Sequence, residues 1–171
     1  MNQVARGTGL TRYGDEPDLS ATFLRLRTPL YNYFRRCGLA PQVAEDLIQA
    51  VFVKLLEQPE RFDSTRGRLE PYVFGLARNL RRNQERRERL RRVEPECETA
   101  APSPGPEPQH LVAIRQAVAD LADEQREAVV LREFHGLSYE EIARVQEVPV
   151  GTVRSRLSRA REQLRQRLLG N

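Results

Sequence analysis

The side chains of this 171-residue chain that are suited to chemistry are hydrogen-bonding and cationic, not nucleophilic or metal-binding. Near the C-terminus, Thr152, Arg154, Ser155, Arg156 and Ser158 crowd the start of a predicted helix, between Val150 and Arg159. An arginine can donate two hydrogen bonds to a guanine edge, and serine or threonine can bond a base or a phosphate. Gly151 leaves room for a close backbone approach. Upstream, Asn79, Arg82, Asn83 and Arg86 recur at three or four and form one polar helical stripe. Amides beside arginines suit base edges as well as phosphates. Phe62 and Tyr72 flank the loop RFDSTRGRL near this stripe, where aromatic rings can stack on unpaired bases; core packing accounts for them equally well.

Enzymatic chemistry finds no such support. His110 and His135 have no metal-ligand spacing with Cys37 or Cys97, and no glycine-rich phosphate loop is present. No catalytic residue, metal or cofactor is expected. His110 and His135 are expected to be solvated, Cys37 to be semi-buried, and Cys97 to lie in a linker.

The elements that must position these residues are helical, because apolar residues recur at three and four and nowhere alternate for long. Leu24, Leu30, Tyr31 and Phe34 predict a first helix, disturbed near Pro29. A second helix starts at Pro41 and stops before Pro59, with Val43, Leu47, Ile48, Val51, Phe52, Leu55 and Leu56 facing a core. A third runs from about Glu70 to Arg92, burying Val73, Phe74, Leu76, Ala77 and Leu80 before arginines take over. Leu111 to Leu121 is helical, and Asp123 is expected to cap the next helix, which stops at His135-Gly136. Ser138 and Glu141 form a capping box for a short helix to Val145. The last helix spans Val150 to Leu169 on Val153, Leu157, Ala160, Leu164 and Leu168. A short helix, a tight connection and a polar-headed helix make a helix-turn-helix, with a plain helical hairpin as the alternative.

Charge divides the chain further. Residues 1–92 hold 18 basic and 11 acidic side chains, residues 93–110 four acidic and no basic ones, and residues 111–171 ten basic and nine acidic. The acidic block VEPECETAAPSPGPEPQH holds five of the eleven prolines and is expected to be an extended linker. The fold class expected is all-α: two small helical domains joined by a flexible proline-rich acidic linker, the C-terminal one a helix-turn-helix. The boundaries are a flexible tail over 1–19, a domain over 20–92, the linker over 93–110 and a domain over 111–171. Eight arginines fall within residues 76–92 and six within residues 150–171, the footprint of two phosphate-backbone contacts. No apolar run approaches the roughly 18 residues of a membrane span, and Met1 to Leu10 has no signal-peptide core. Two distant cysteines make no disulfide framework, so a cytoplasmic protein is expected.

AEDLIQAVFVKLLEQPERFDSTRG with YVFGLARNLRRNQERR resembles the second conserved region of bacterial sigma factors. LADEQREAVVLREFHGLSYEEIARVQEVPVGTVRSRLSRAREQLR resembles the fourth. With no domain between them, the pairing resembles the extracytoplasmic-function (ECF) group. The resemblance implies a factor that binds core RNA polymerase, directs it to promoters and promotes melting. It implies docking on the polymerase clamp helices through Asp46, Gln49, Phe52 and Val53, and a second contact on the flap. It implies minus-ten recognition, with a flipped base, by Phe62, Asp63, Arg66, Tyr72, Arg78, Asn79, Arg82, Asn83 and Arg86. It implies recognition of minus-thirty-five duplex by Val150, Gly151, Thr152, Arg154, Ser155, Arg156, Ser158 and Arg159. An anti-sigma factor is a further partner in many relatives.

Three features depart from the family pattern. Tyr72 stands where tryptophan is frequent, and Asn83 where an acid is common. Gln146-Glu147 replaces the usual leucine-glycine of the turn, which places a non-glycine residue where a left-handed backbone is expected. Two other functions fit parts of the chain: a stand-alone helix-turn-helix regulator and a polymerase-binding adaptor.

Overall fold

The computed structural model describes residues 12–13, 16–17, 19–91 and 108–170. Among these, seven α-helices carry the fold, preceded by a two-residue antiparallel ladder of β1 (Arg12–Tyr13) with β2 (Glu16–Pro17). The ladder falls inside the segment expected to be a flexible tail. Cys97 and most of the expected linker lie outside the described residues; the linker's last residues, Gln109 and His110, already begin a helix.

Helix α1 (Leu19–Arg36) runs without a break through Pro29, against the expected disturbance. Thr22, Leu26, Leu30, Tyr33, Phe34 and Cys37 form a continuous buried stripe on both sides of the proline. Packing of that stripe outweighs one missing backbone bond. Leu24 is 77% exposed, so the core face is rotated from the one expected. The helix ends at Gly38 (φ 95°), where the Leu39 amide donates to the Phe34 carbonyl.

Helix α2 (Pro41–Glu57) begins with its proline in the first turn and buries Ala44, Leu47, Ile48, Val51, Phe52 and Leu55. Leu56, expected in the core, is 56% exposed. Two 3₁₀ turns, Pro59–Arg61 and Ser64–Arg66, fill the connecting loop, and Asp63 Oδ1 accepts from the Thr65 amide at 2.9 Å. Helix α3 (Leu69–Arg91) packs on α1 and α2 through Leu69, Val73, Phe74 and Ala77.

Helices α4 (Gln109–Ala119), α5 (Asp123–Val129), α6 (Tyr139–Gln146) and α7 (Val150–Leu169) make the second group, with α4, α5 and α6 all packed against α7. Ala122, not Asp123, is the N-cap of α5; Asp123 and Glu124 occupy the first turn, where carboxylates face the positive end of the helix. A π-turn, Val130–Phe134, leads to Gly136 (φ 66°), the expected stop. The capping box is present: Ser138 Oγ accepts from the Glu141 amide at 3.1 Å, and Glu141 Oε2 accepts from the Ser138 amide at 2.8 Å.

The two groups are not separate in packing. Helix α6 lies along α3, and buried apolar residues from both groups form one contiguous cluster. His135 belongs to this junction and is half-buried, where a solvated side chain was expected. Its ring stands 4.5 Å from that of Phe74 and 6.3 Å from that of Tyr33, and its Nε2 is buried without a hydrogen-bond partner. Burial, reinforced by Arg36, pushes its pKa down to about 4.

Glu147 adopts φ 54°, ψ 45°, the left-handed region that the turn requires. Strain of about 1–2 kcal/mol is expected there for a non-glycine residue. Glu147→Gly should therefore raise the melting temperature by roughly 2–8 °C in a thermal scan. His135 has a folded pKa below its unfolded value, so the unfolded chain binds more protons between them. Stability is full above about pH 6.5 and falls as the pH drops toward 4. His135→Phe should flatten that part of a stability profile measured by urea titration.

Candidate nucleic-acid interface

The helix-turn-helix is built by α6, the Glu147–Pro149 connection and α7. Val153, Leu157 and Ala160 are buried and fix the rotation of α7. That rotation leaves Gly151, Arg154, Ser155, Ser158 and Arg159 exposed along one side, with Val150, Thr152 and Arg156 half-buried. Ser155 is exposed, and its Oγ donates to the Thr152 carbonyl at 2.9 Å. Arg156 is engaged: its Nη1 donates to Gln146 Oε1 at 2.8 Å.

The loop and α3 form a second polar surface. Phe62 and Tyr72 are half-buried, with ring centroids 5.6 Å apart and planes tilted by 42°. With Asp63, Gly67, Asn79 and Arg144 they line a cavity of about 310 Å³. Burial raises the Tyr72 hydroxyl pKa, so the phenol stays neutral and can donate or accept. Asn79, Arg82, Asn83 and Arg86 are exposed along α3, the stripe expected from their spacing. The side chain of Arg66 lies outside the described residues. On α2, Asp46, Gln49 and Val53 share an exposed side, while Phe52 lies beneath it with its ring 4.8 Å from that of Phe23.

Arg78 departs from its expected exposure. It is 4% exposed, and its Nε donates to Glu127 Oε2 at 3.1 Å. Glu127, itself 1% exposed, also accepts from Arg81 Nη2 at 3.0 Å, from the Tyr33 hydroxyl at 2.7 Å and from Gln146 Nε2 at 2.9 Å. Four donors on α1, α3 and α6 thus converge on one carboxylate of α5. Burial alone would raise the pKa of this carboxyl; Arg81, Tyr33, Arg78 and Gln146 together outweigh it and hold it below the usual value. Burial and the adjacent carboxylate drive the Tyr33 hydroxyl well up, so it keeps its proton as donor. Arg81 also donates to Glu85 at 2.5 Å.

Outlying pairs surround this centre. Arg68 makes a forked contact with Glu141, with its closest approaches at 2.9 Å, and Arg82 stands 3.6 Å from Glu124. Arg126 donates to the carbonyls of Leu121 at 2.9 Å and Cys37 at 3.5 Å. The Cys37 thiol is buried, which pushes its pKa up to about 12.

The roles of Tyr33, Arg81 and Glu127 are not marked in the sequence, and Gln146 stands out there only as a departure at the turn. The one available signal was Gln146, a polar residue where the turn ordinarily holds leucine. Its burial is explained by its partners: Nε2 donates to the Glu127 carboxylate and to the Glu124 carbonyl, and Oε1 accepts from Arg156.

The Sigma-70 region 2 family matches residues 22–91, and the Sigma-70 region 4 family matches residues 111–164. The chain is similar to the ECF RNA polymerase sigma factor SigE of Mycolicibacterium smegmatis, at 35% identity over 131 residues, 71% of this chain and 50% of SigE. It thus spans about half the length of that relative. It is 34% identical to the ECF RNA polymerase sigma factor SigC of Mycobacterium tuberculosis over 126 residues, 71% of this chain and 68% of SigC. Among solved structures it is similar to the sigma factor RpoE in complex with the anti-sigma factor NepR from Bartonella quintana. That likeness has a TM-score of 0.74 at 28% identity and covers 90% of this chain and 98% of that one. The two matched regions coincide with the two polar surfaces built by α3 and by α6–α7, and on that agreement the chain belongs to the ECF group of RNA polymerase sigma factors.

Proposed function

We propose that this chain acts as an ECF sigma factor that recruits core RNA polymerase to promoters and promotes their melting. The observation that carries the reading is the presence, in one chain, of two unlike nucleic-acid surfaces. One is a helix-turn-helix with an exposed polar edge, suited to duplex DNA. The other is an aromatic-lined cavity beside an amide and arginine stripe, suited to an unpaired base. A stand-alone duplex-binding regulator has no use for the second surface.

The residue roles in this proposal follow the surfaces. Asp46, Gln49 and Val53 on α2 meet the clamp helices, with Phe52 supporting them from the core. Phe62, Tyr72 and Asn79 hold a flipped minus-ten base, while Arg82, Asn83 and Arg86 follow the melted strand. Arg154, Ser155, Ser158 and Arg159 read the minus-thirty-five duplex, and the C-terminal domain meets the polymerase flap. The domains are 20–92 and 111–171, joined by the acidic linker 93–110. The chain works without catalysis of its own, in the cytoplasm, where polymerase is found. No described helix is long and apolar enough to cross a membrane. An anti-sigma factor is a fitting partner, because the structurally similar RpoE is held by one.

Run-off transcription with purified core polymerase on a genomic promoter library tests the proposal. Transcripts from a discrete promoter set are expected; binding of polymerase without any transcript would indicate an adaptor instead. Arg154→Ala should weaken promoter binding by about 1–3 kcal/mol and relax selectivity at one base pair. Arg159→Ala, at a phosphate-facing position, should weaken binding to all sequences and lower the salt slope by about 1. Affinity measured by anisotropy across a salt series separates the two effects.

A further inference from the structure

Helix α7 carries two rows of polar side chains. Arg154, Ser155 and Ser158 are exposed on its front. Thr152, Arg156 and Arg159 recur at four and then three, so they line one flank, between that front and the buried Val153, Leu157 and Ala160. The arginines of this helix are held in different ways. Arg161, Arg165 and Arg167 face the carboxylates of Glu133, Glu162 and Asp120. Arg156 faces none among the described residues. Its guanidinium makes one hydrogen bond, from Nη1 to Gln146 Oε1 at 2.8 Å, and its other nitrogens stay in reach of solvent.

That single bond is fixed from behind. Gln146 is 1% exposed, and both hydrogens of its Nε2 are spent, on the Glu127 carboxylate at 2.9 Å and on the Glu124 carbonyl at 3.1 Å. A turned amide would set its oxygen against two acceptors and its nitrogen against a guanidinium, so the oxygen must point at Arg156. A neutral oxygen orients the guanidinium without cancelling its charge, and the free part of the fork keeps its capacity for a phosphate. We propose that Arg156 is a pre-positioned phosphate contact of the duplex reader, in one row with Arg159, and that Gln146 is its positioning residue. The inference rests on the sigma-factor reading for promoter duplex as the ligand. A leucine at position 146, the usual residue of this turn, would leave Arg156 to be ordered only on binding, and ordering a long side chain weakens association.

The test uses the full chain assembled with core polymerase. The probe is a fluorescent duplex from a promoter of the run-off library, ending upstream of the minus-ten element, alongside the same duplex with scrambled minus-thirty-five bases. Anisotropy is followed across a salt series. Arg156→Ala should weaken both duplexes and lower the salt slope by about 1. Gln146→Met, close to glutamine in shape, should weaken both by about two- to tenfold with the slope unchanged, because the contact is still made but must first be ordered. Combined with Arg156→Ala it should cost nothing further, since no guanidinium is left to hold. An equal cost of Gln146→Met with and without Arg156→Ala would mark a role in folding alone and overturn the inference. An unchanged salt slope for Arg156→Ala would overturn it as well, and that measurement stands even where Gln146→Met does not fold. Run-off transcription separates the two failures. If the sigma-factor reading is wrong, the unaltered chain gives no transcript; if only the positioning role is wrong, it transcribes and the two substitutions act additively.

Discussion

The structure depends on how one carboxylate, that of Glu127, is kept charged out of contact with water. An isolated buried carboxylate would take up a proton, since its desolvation is costly. Here two guanidiniums, a phenol and a primary amide meet its two oxygens. These donors come from α1, α3 and α6, so satisfying the charge requires the N-terminal helices to be seated on the C-terminal ones. Removing one partner of such a cluster typically costs about 3–5 kcal/mol, because the others are left buried without it. The apolar contacts around it, including Phe74 and Leu137, are compatible with several small displacements. The hydrogen bonds are directional and fix one arrangement.

The same interaction explains features that are otherwise odd. Gln146 in a helix-turn-helix turn is out of place by hydropathy, yet its amide bridges a carboxylate and a guanidinium. Its orientation is settled by those neighbours, with Nε2 toward Glu127 and Oε1 toward Arg156. Among the described residues Tyr33 is the largest fully buried side chain, and its hydroxyl would be unsatisfied in a purely apolar core. Arg81 buries its charge in mid-helix because Glu85, one turn later, and Glu127 divide it between them.

How much of this was legible beforehand can be judged residue by residue. The capping box at Ser138 and Glu141, the stop at Gly136, the start at Pro41 and the left-handed turn at Glu147 are local, and local chemistry dictates them. The stripe of Asn79, Arg82, Asn83 and Arg86 and the exposed edge of α7 follow from helical periodicity. What periodicity did not supply was which arginines of α3 face inward. Arg78 and Arg81 resemble their exposed neighbours in sequence, and their burial depends on a carboxylate 49 and 46 positions away. The rotation of α1, which exposes Leu24 and buries Tyr33, suits both its packing on α2 and α3 and the bond from Tyr33 to the same distant carboxylate. His135 was misjudged because its surroundings, Phe74 and Tyr33, come from the other half of the chain.

The exposed side of α2 has a consequence for the chemical vulnerability of the molecule. Of 28 basic side chains, 27 are guanidiniums, and Lys54 is the lone side-chain amine. Guanidiniums keep their charge across the physiological range and resist acylation, so the cation set of both candidate surfaces is permanent. Lys54 is exposed beside Val53, on the face that α2 turns away from the core. Reagents or enzymes that acylate side-chain amines therefore meet this protein at one address, on the exposed side of α2.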